Sequence, residues 1–133
     1  MNVITCSTIR PGDYPHTLTT RTHSFVTDIG TEDGGSDSAP GPHDYFDAAL
    51  ASCKAVTAMW YAKRHAIPLE RIECRVERDD SQEKQGSYTL RVAIAFIGPL
   101  TDDQRAALQR VADKCPITKL MTTVDVKIEP IAS

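Results

Sequence analysis

Two thiols in this chain stand where residue type and surroundings allow redox chemistry. Cys53 lies in the middle of a long apolar run, Pro42 to Tyr61, and Cys115 sits in Asp113-Lys114-Cys115-Pro116-Ile117, where a proline breaks a second helical segment. A thiolate is a nucleophile, and a sulfenic acid formed on one thiol condenses with a second nearby thiol to a disulfide. Two such cysteines are therefore either a peroxidatic and resolving pair or two packing residues, since free cysteine is among the most buried residue types. Spacing alone leaves both readings open. Cys74, on an alternating strand pattern, reads as a small core residue, and Cys6 reads similarly. No metal site is expected: there is no Cys-x-x-Cys, and His16, His23, His43 and His65 are scattered. No cofactor is expected either, because Gly34-Gly35 lacks the strand-to-helix setting of a phosphate cradle.

The elements that must position these thiols follow an α+β order. Residues 2–9 and 17–28 read as strands, with Arg10-Pro11-Gly12-Asp13 as the turn between them. Residues 30–42, rich in Gly, Ser, Asp and Pro, form a long loop of the kind that is often functional in a small domain. A helix then runs to roughly His65, where Ile67-Pro68 stops it. Two strands of period 2 follow, one through Ile72, Cys74 and Val76, the other through Tyr88, Leu90, Val92, Ile94 and Phe96, joined by the polar hairpin 79–86. Thr101 caps a second helix whose apolar face carries Ala107, Leu108, Val111, Ala112 and Cys115. A last strand is expected over 123–128.

Composition narrows the partners. The 133 residues suit one domain, and 41% hydrophobic content with a net charge of −3 describes an ordinary soluble protein. No basic excess points to nucleic acid, and no apolar stretch approaches bilayer-spanning length. The start, Met1 to Cys6, carries no signal-peptide pattern, so a cytoplasmic location is expected, where thiols stay reduced unless they take part in chemistry.

The first helix carries an apolar stripe of Phe46, Ala49, Leu50, Cys53, Val56 and Trp60. Beside it runs a stripe of Ala48, Ala51, Ala55, Ala58 and Ala62. Only Asp47, Lys54, Thr57, Tyr61 and Arg64 make a polar strip. A helix so nearly apolar all round is a central one, and two buried stripes are hard to cover within one small chain. A second copy of the chain is the expected cover. Phe46, Met59 and Trp60 then read as core or, at such an interface, as the lining of an apolar channel.

The segments Gly34 to Asp44, Ala48 to Thr57, Tyr61-Ala62 and Ile67 to Glu70 resemble the signature block of the OsmC/Ohr family, the osmotically inducible and organic hydroperoxide resistance proteins. Ala112 to Ile117 resembles the family's second-cysteine block, in the same order along the chain. The resemblance implies a single OsmC-like domain over 1–133, an antiparallel sheet packed on long central helices, and an intertwined homodimer with active sites at the subunit interface. It implies reduction of organic hydroperoxides, with Cys53 attacking, Cys115 resolving, and a dithiol, such as a lipoyl protein, as reductant. Burial raises a thiol pKa, so Cys53 needs a cation to ionise. The resemblance supplies an arginine on an early strand, for which Arg10 is the better candidate and Arg21 the alternative.

One departure from the pattern stands out. Hydroperoxide-reducing members resemble one another in carrying a glutamate ten residues before the first cysteine, and here that position is His43. Asp44 is adjacent, but nine residues at about 100° each put it opposite Cys53 on a continuous helix. Asp44 also reads as the helix N-cap, with Asp47 three residues on as a partial capping box. A second reading therefore stays open: a non-peroxidase binding protein that uses the interface pocket for a small ligand.

Overall fold

The computed structural model describes residues 2–132. They fall into two compact units, 1–46 and 47–133, taken in turn.

In the first unit, strands β1 (Ile4–Thr8), β2 (His16–Thr20) and β3 (His23–Thr27) form an antiparallel sheet in the order β1-β2-β3. The register pairs Ile4 with Thr20 and Thr8 with His16 across β1 and β2, then His16 with Thr27 and Thr20 with His23 across β2 and β3. The single strand expected over 17–28 is thus a hairpin. The chain reverses at Arg21, which takes φ +52°, a conformation usually left to Gly, Asn or Asp. Without one of those residues the turn carried no signal.

The loop after β3 is organised by one side chain. Asp28, buried at 1% exposure, accepts hydrogen bonds from the Ile29 amide (2.7 Å), the Ser36 amide (3.3 Å), and the Ser38 amide (3.0 Å) and hydroxyl (2.6 Å). Gly35 permits this fold-back, since a Cβ there would lie 2.2 Å from the Ile29 carbonyl oxygen. The loop leads into α1 (Pro42–Arg64). Its entry differs from the expected cap. The helix begins at Pro42, and Asp44 reaches back to accept from the Gly41 amide at 2.9 Å, so Asp44 holds the third helical position rather than the cap. Proline is favoured at a first helical position because its fixed φ is already helical. Tyr45 ties the first turn to the sheet, donating its hydroxyl to the Val26 carbonyl at 2.5 Å and tilting against Phe25 with centroids 5.3 Å apart.

The second unit holds the remainder of α1. It continues with β4 (Arg71–Asp79) and β5 (Thr89–Ile97), an antiparallel pair in which Cys74 faces Ile94, and then α2 (Asp102–Asp113) and α3 (Pro116–Thr122). Thr101 and Gln104 form a full capping box at the start of α2. The core joins Ala58 and Ala62 of α1, Phe96 of β5, and Leu108 and Ala112 of α2, with Tyr61, Ile72 and Ile94 packed around it. Of the alanine stripe, Ala58 and Ala62 are buried in this cluster with Leu108 and Ala112, while Ala48 is exposed and Ala51 and Ala55 are half-buried.

Two expectations in this unit are corrected. The strand expected over 123–128 is not formed, and α3 precedes that stretch instead. A strand needs a hydrogen-bonded neighbour, and 123–128 has none among the described residues. Val124, Val126 and Ile128 are exposed. Lys54, expected on the polar strip of α1, is 7% exposed and lies in the buried row with Leu50, Ala58 and Ala62, each four residues from the next. Asp47 is not a capping-box partner but a bridge to the hairpin. It accepts from Arg78 Nε at 2.6 Å and from the Tyr88 hydroxyl at 2.7 Å; burial, and after it the Asp47 carboxylate, pushes the Tyr88 phenol up to about 12.

Candidate active site

Cys53 sits half-buried on α1, its sulfur 3.7 Å from the Thr57 hydroxyl one turn on. Cys115 is completely buried and caps α3. Its place follows from Pro116, which disfavours helical geometry in the residue before it, so Cys115 turns extended at φ −60°, ψ 153° and ends the run of α2. That corner aims the Cys115 sulfur inward, 3.0 Å from the Thr118 hydroxyl. Cys53 is close enough to be one of the groups that hold the Cys115 thiol down, and both are free thiols.

The third member of the group is the buried Lys54. Its Nζ donates to the Ala112 carbonyl at 2.9 Å, in the last turn of α2, and to the Thr118 hydroxyl at 3.3 Å. Cations are favoured at that end of a helix, where unpaired carbonyls carry partial negative charge. Burial by itself would push the Cys115 thiol up. The Thr118 hydroxyl and backbone amide, the Cys53 thiol and the Lys54 charge outweigh it, and the thiol stands below its ordinary range. Cys74 on β4 lies near the same group, and there burial prevails and pushes the thiol up, with Lys54 acting the other way. Cys74 is half-buried and Cys6, expected to resemble it as a core residue, is exposed on β1.

A hollow of about 350 Å³ opens beside Cys53's neighbour Thr57, lined by Tyr61, Ala107, Val111, Arg110 and Lys114. Its lining mixes Ala107, Val111 and the Tyr61 ring with the cations Arg110 and Lys114.

The remaining sequence candidates belong to the first unit. Arg10 is exposed and pairs through Nε with Asp13 at 3.0 Å, and Arg21 occupies the β2–β3 turn. His43 and Asp44 lie in the first turn of α1, exposed. Since α1 is continuous from Pro42 to Arg64, Asp44 stands half a turn round the helix from Cys53. The structure brings together Cys53 and Cys115. It adds Lys54 and Thr118, which sequence reasoning passed over. The available signal was the four-residue row through Leu50, Lys54 and Ala58, in which the lysine replaces an apolar residue.

Antiparallel sheets, three helices and a thiol pair where α1 meets the corner between α2 and α3 define an α+β protein built round paired cysteines. The chain belongs to the OsmC-like protein family, whose sequence model matches residues 35–129. Among solved structures, an OsmC-like protein from Mycoplasma pneumoniae aligns with a TM-score of 0.72 at 17% identity, over 93% of this chain and 89% of that one. The organic hydroperoxide resistance protein OsmC from Legionella pneumophila aligns with a TM-score of 0.64 at 21% identity, over 92% and 90%. The organic hydroperoxide resistance protein OhrB of Bacillus subtilis aligns with a TM-score of 0.58 at 21% identity, over 92% and 91%. Comparison with curated proteins gives no match. Among the described residues, no helix is long and apolar enough to cross a membrane.

Proposed function

We propose that this chain is a cysteine-based peroxidase that reduces organic hydroperoxides and works as a homodimer. The observation that carries the reading is the buried Cys115, in contact with a Thr118 hydroxyl that the buried Lys54 also reaches, with Cys53 next to that lysine on α1. The Cys53 thiolate attacks the terminal oxygen of ROOH. The O–O bond breaks, Cys53 becomes a sulfenic acid, and the alkoxide takes a proton and leaves as ROH. Cys115 then attacks the Cys53 sulfur, forming the disulfide and releasing water. A dithiol reduces that disulfide by exchange and is itself oxidised to a disulfide. The hollow beside Thr57 offers Ala107, Val111 and the Tyr61 ring to the organic part of the peroxide. The names of the Legionella and Bacillus proteins point to the same substrate class. Arg10 or Arg21 serves as the cation for Cys53.

A second reading, a binding protein that keeps both cysteines, is favoured by His43 standing where a glutamate is expected. Consumption of cumene hydroperoxide with dithiothreitol or dihydrolipoamide separates the two. Cys53→Ser abolishes turnover, whereas Cys115→Ser keeps a single oxidation but forms no disulfide. Equal loss of the single turnover in both variants would contradict these roles, and an inactive wild type would support the binding reading.

A further inference from the structure

We propose that Lys54, acting through the Thr118 hydroxyl, holds Cys115 as a thiolate and so makes it the ready nucleophile for closing the disulfide. The inference rests on the thiol-pair reading above and names two positioning residues in it. Donor and acceptor roles permit the relay. An ammonium only donates, so in the 3.3 Å contact with Lys54 Nζ the Thr118 oxygen accepts. That leaves the one hydroxyl proton of Thr118 available to the Cys115 sulfur 3.0 Å away, and an ionised sulfur can only accept it.

Charge balance argues the same way. A buried lysine normally has a countercharge, yet among the described residues no carboxylate pairs with Lys54; its partners are a carbonyl and a hydroxyl. The groups near it that can become anionic are thiols. From α1 the Cys53 thiol faces Cys115, from β4 the Cys74 thiol, and from α3 the Thr118 hydroxyl; Asp113 and Lys114, which flank Cys115 in the chain, are exposed. Cys115 alone of the three thiols is the one at the end of the relay.

In the step itself, the Cys115 thiolate attacks the sulfur of the Cys53 sulfenic acid. The S–S bond forms as the S–O bond breaks, and the departing hydroxide takes up the proton that Cys115 gave up on ionising, leaving as water. A lone pair of Cys115 becomes the S–S bond and the S–O pair leaves with the hydroxide, so the Cys115 sulfur rises in oxidation state from −2 to −1 as the sulfenic sulfur falls from 0 to −1.

The deciding measurement, a titration, needs no peroxide. The ultraviolet thiolate absorbance of the reduced protein, minus that of its Cys115→Ser counterpart, titrates Cys115 in place. Thr118→Val removes the relay with almost no change in volume, and Lys54→Met removes the charge. The midpoint is expected to rise by about one pH unit or more in both, as for a thiol losing a nearby cation and donor, and Thr118→Ser is expected to restore it. Stopped-flow decay of the sulfenic acid at neutral pH is expected to slow about two- to fivefold in Thr118→Val, the thiolate fraction lost when a midpoint at or just below neutral rises by one unit. A midpoint unmoved by Thr118→Val overturns the proposal whatever Lys54→Met does, and so does a midpoint that Thr118→Ser fails to restore. Because the titration is independent of hydroperoxide consumption, failure here leaves the peroxidase test above standing, and the reverse also holds.

Discussion

The proposed homodimer can be tested through the outward side of α1. Trp60 is 55% exposed and Val56 68%, although both lie on a helix that is otherwise central to its unit. The Arg64 guanidinium already stacks over the Trp60 ring at 4.8 Å, so that exposure is what remains beyond it. A tryptophan buries up to about 250 Å², so roughly 130 Å² of Trp60 awaits cover, worth about 3 kcal/mol at about 25 cal/mol per Å². In a symmetric dimer the contribution occurs twice. Trp60→Ser is therefore expected to weaken association by about 6 kcal/mol, roughly four decades in dissociation constant. The wild-type protein should sediment at twice the 14.6 kDa chain mass at micromolar concentration, with a melting temperature that rises with concentration. The variant should dissociate in the same range and lose helical circular dichroism as it does, because the isolated chain leaves this stripe wet. A wild type that sediments as a stable, folded monomer would refute the reasoning, as would an unchanged dissociation constant in Trp60→Ser.

Three further outcomes are expected. Leu108 is completely buried among Ala58, Ala62, Phe96 and Ala112, and Leu108→Ala should lower the unfolding free energy by about 3 kcal/mol in urea denaturation; a loss under about 1 kcal/mol would mean the core relaxes into the space. The Asp28 carboxyl is held down from the ordinary 3.8 to about 2 by the Ser38 hydroxyl and amide and the Ile29 amide, so its contribution to stability is complete above the ordinary value and is lost as pH falls through about 2. Melting temperature against pH should therefore show an acid limb that flattens in Asp28→Asn, and an identical limb in the variant would refute the assignment. His43→Glu should raise cumene hydroperoxide turnover about tenfold, equivalent to about 1.4 kcal/mol in the barrier, by ordering the activating arginine. A neutral His43→Glu together with an inactive Asp44→Asn would give the acidic role to Asp44.

Much of the fold was legible because period and punctuation agree. The alternation through Ile72, Cys74 and Val76 gave β4, Ile67-Pro68 marked the end of α1, and Thr101 marked the start of α2. The failures share a physical cause, since each depended on something absent from the local pattern. Arg21 turns a hairpin with no glycine to announce it, and Val124, Val126 and Ile128 alternate as a strand would but find no neighbour to pair with among the described residues. Alternation reports which residues suit a half-buried pleat; it does not supply the hydrogen-bonding partner.

The site was legible as two thiols but not as a charge. Lysine among alanines on a nearly apolar helix is ordinarily placed outward, because burying an ammonium costs several kcal/mol unless something compensates. The compensation here is tertiary: the Ala112 carbonyl comes from the last turn of α2, and the Thr118 hydroxyl from the first turn of α3. Neither element signals by itself that it will meet Lys54, and no spacing rule within α1 could have supplied them. Pro116 links the two, since the corner it imposes ends α2, sets Cys115 inward and starts α3 with Thr118 one turn along. One proline thus places the thiol, its donor and the carbonyl end that holds the cation. A variant that lets α2 run on through Cys115 would scatter all three at once while leaving Cys53 where it is.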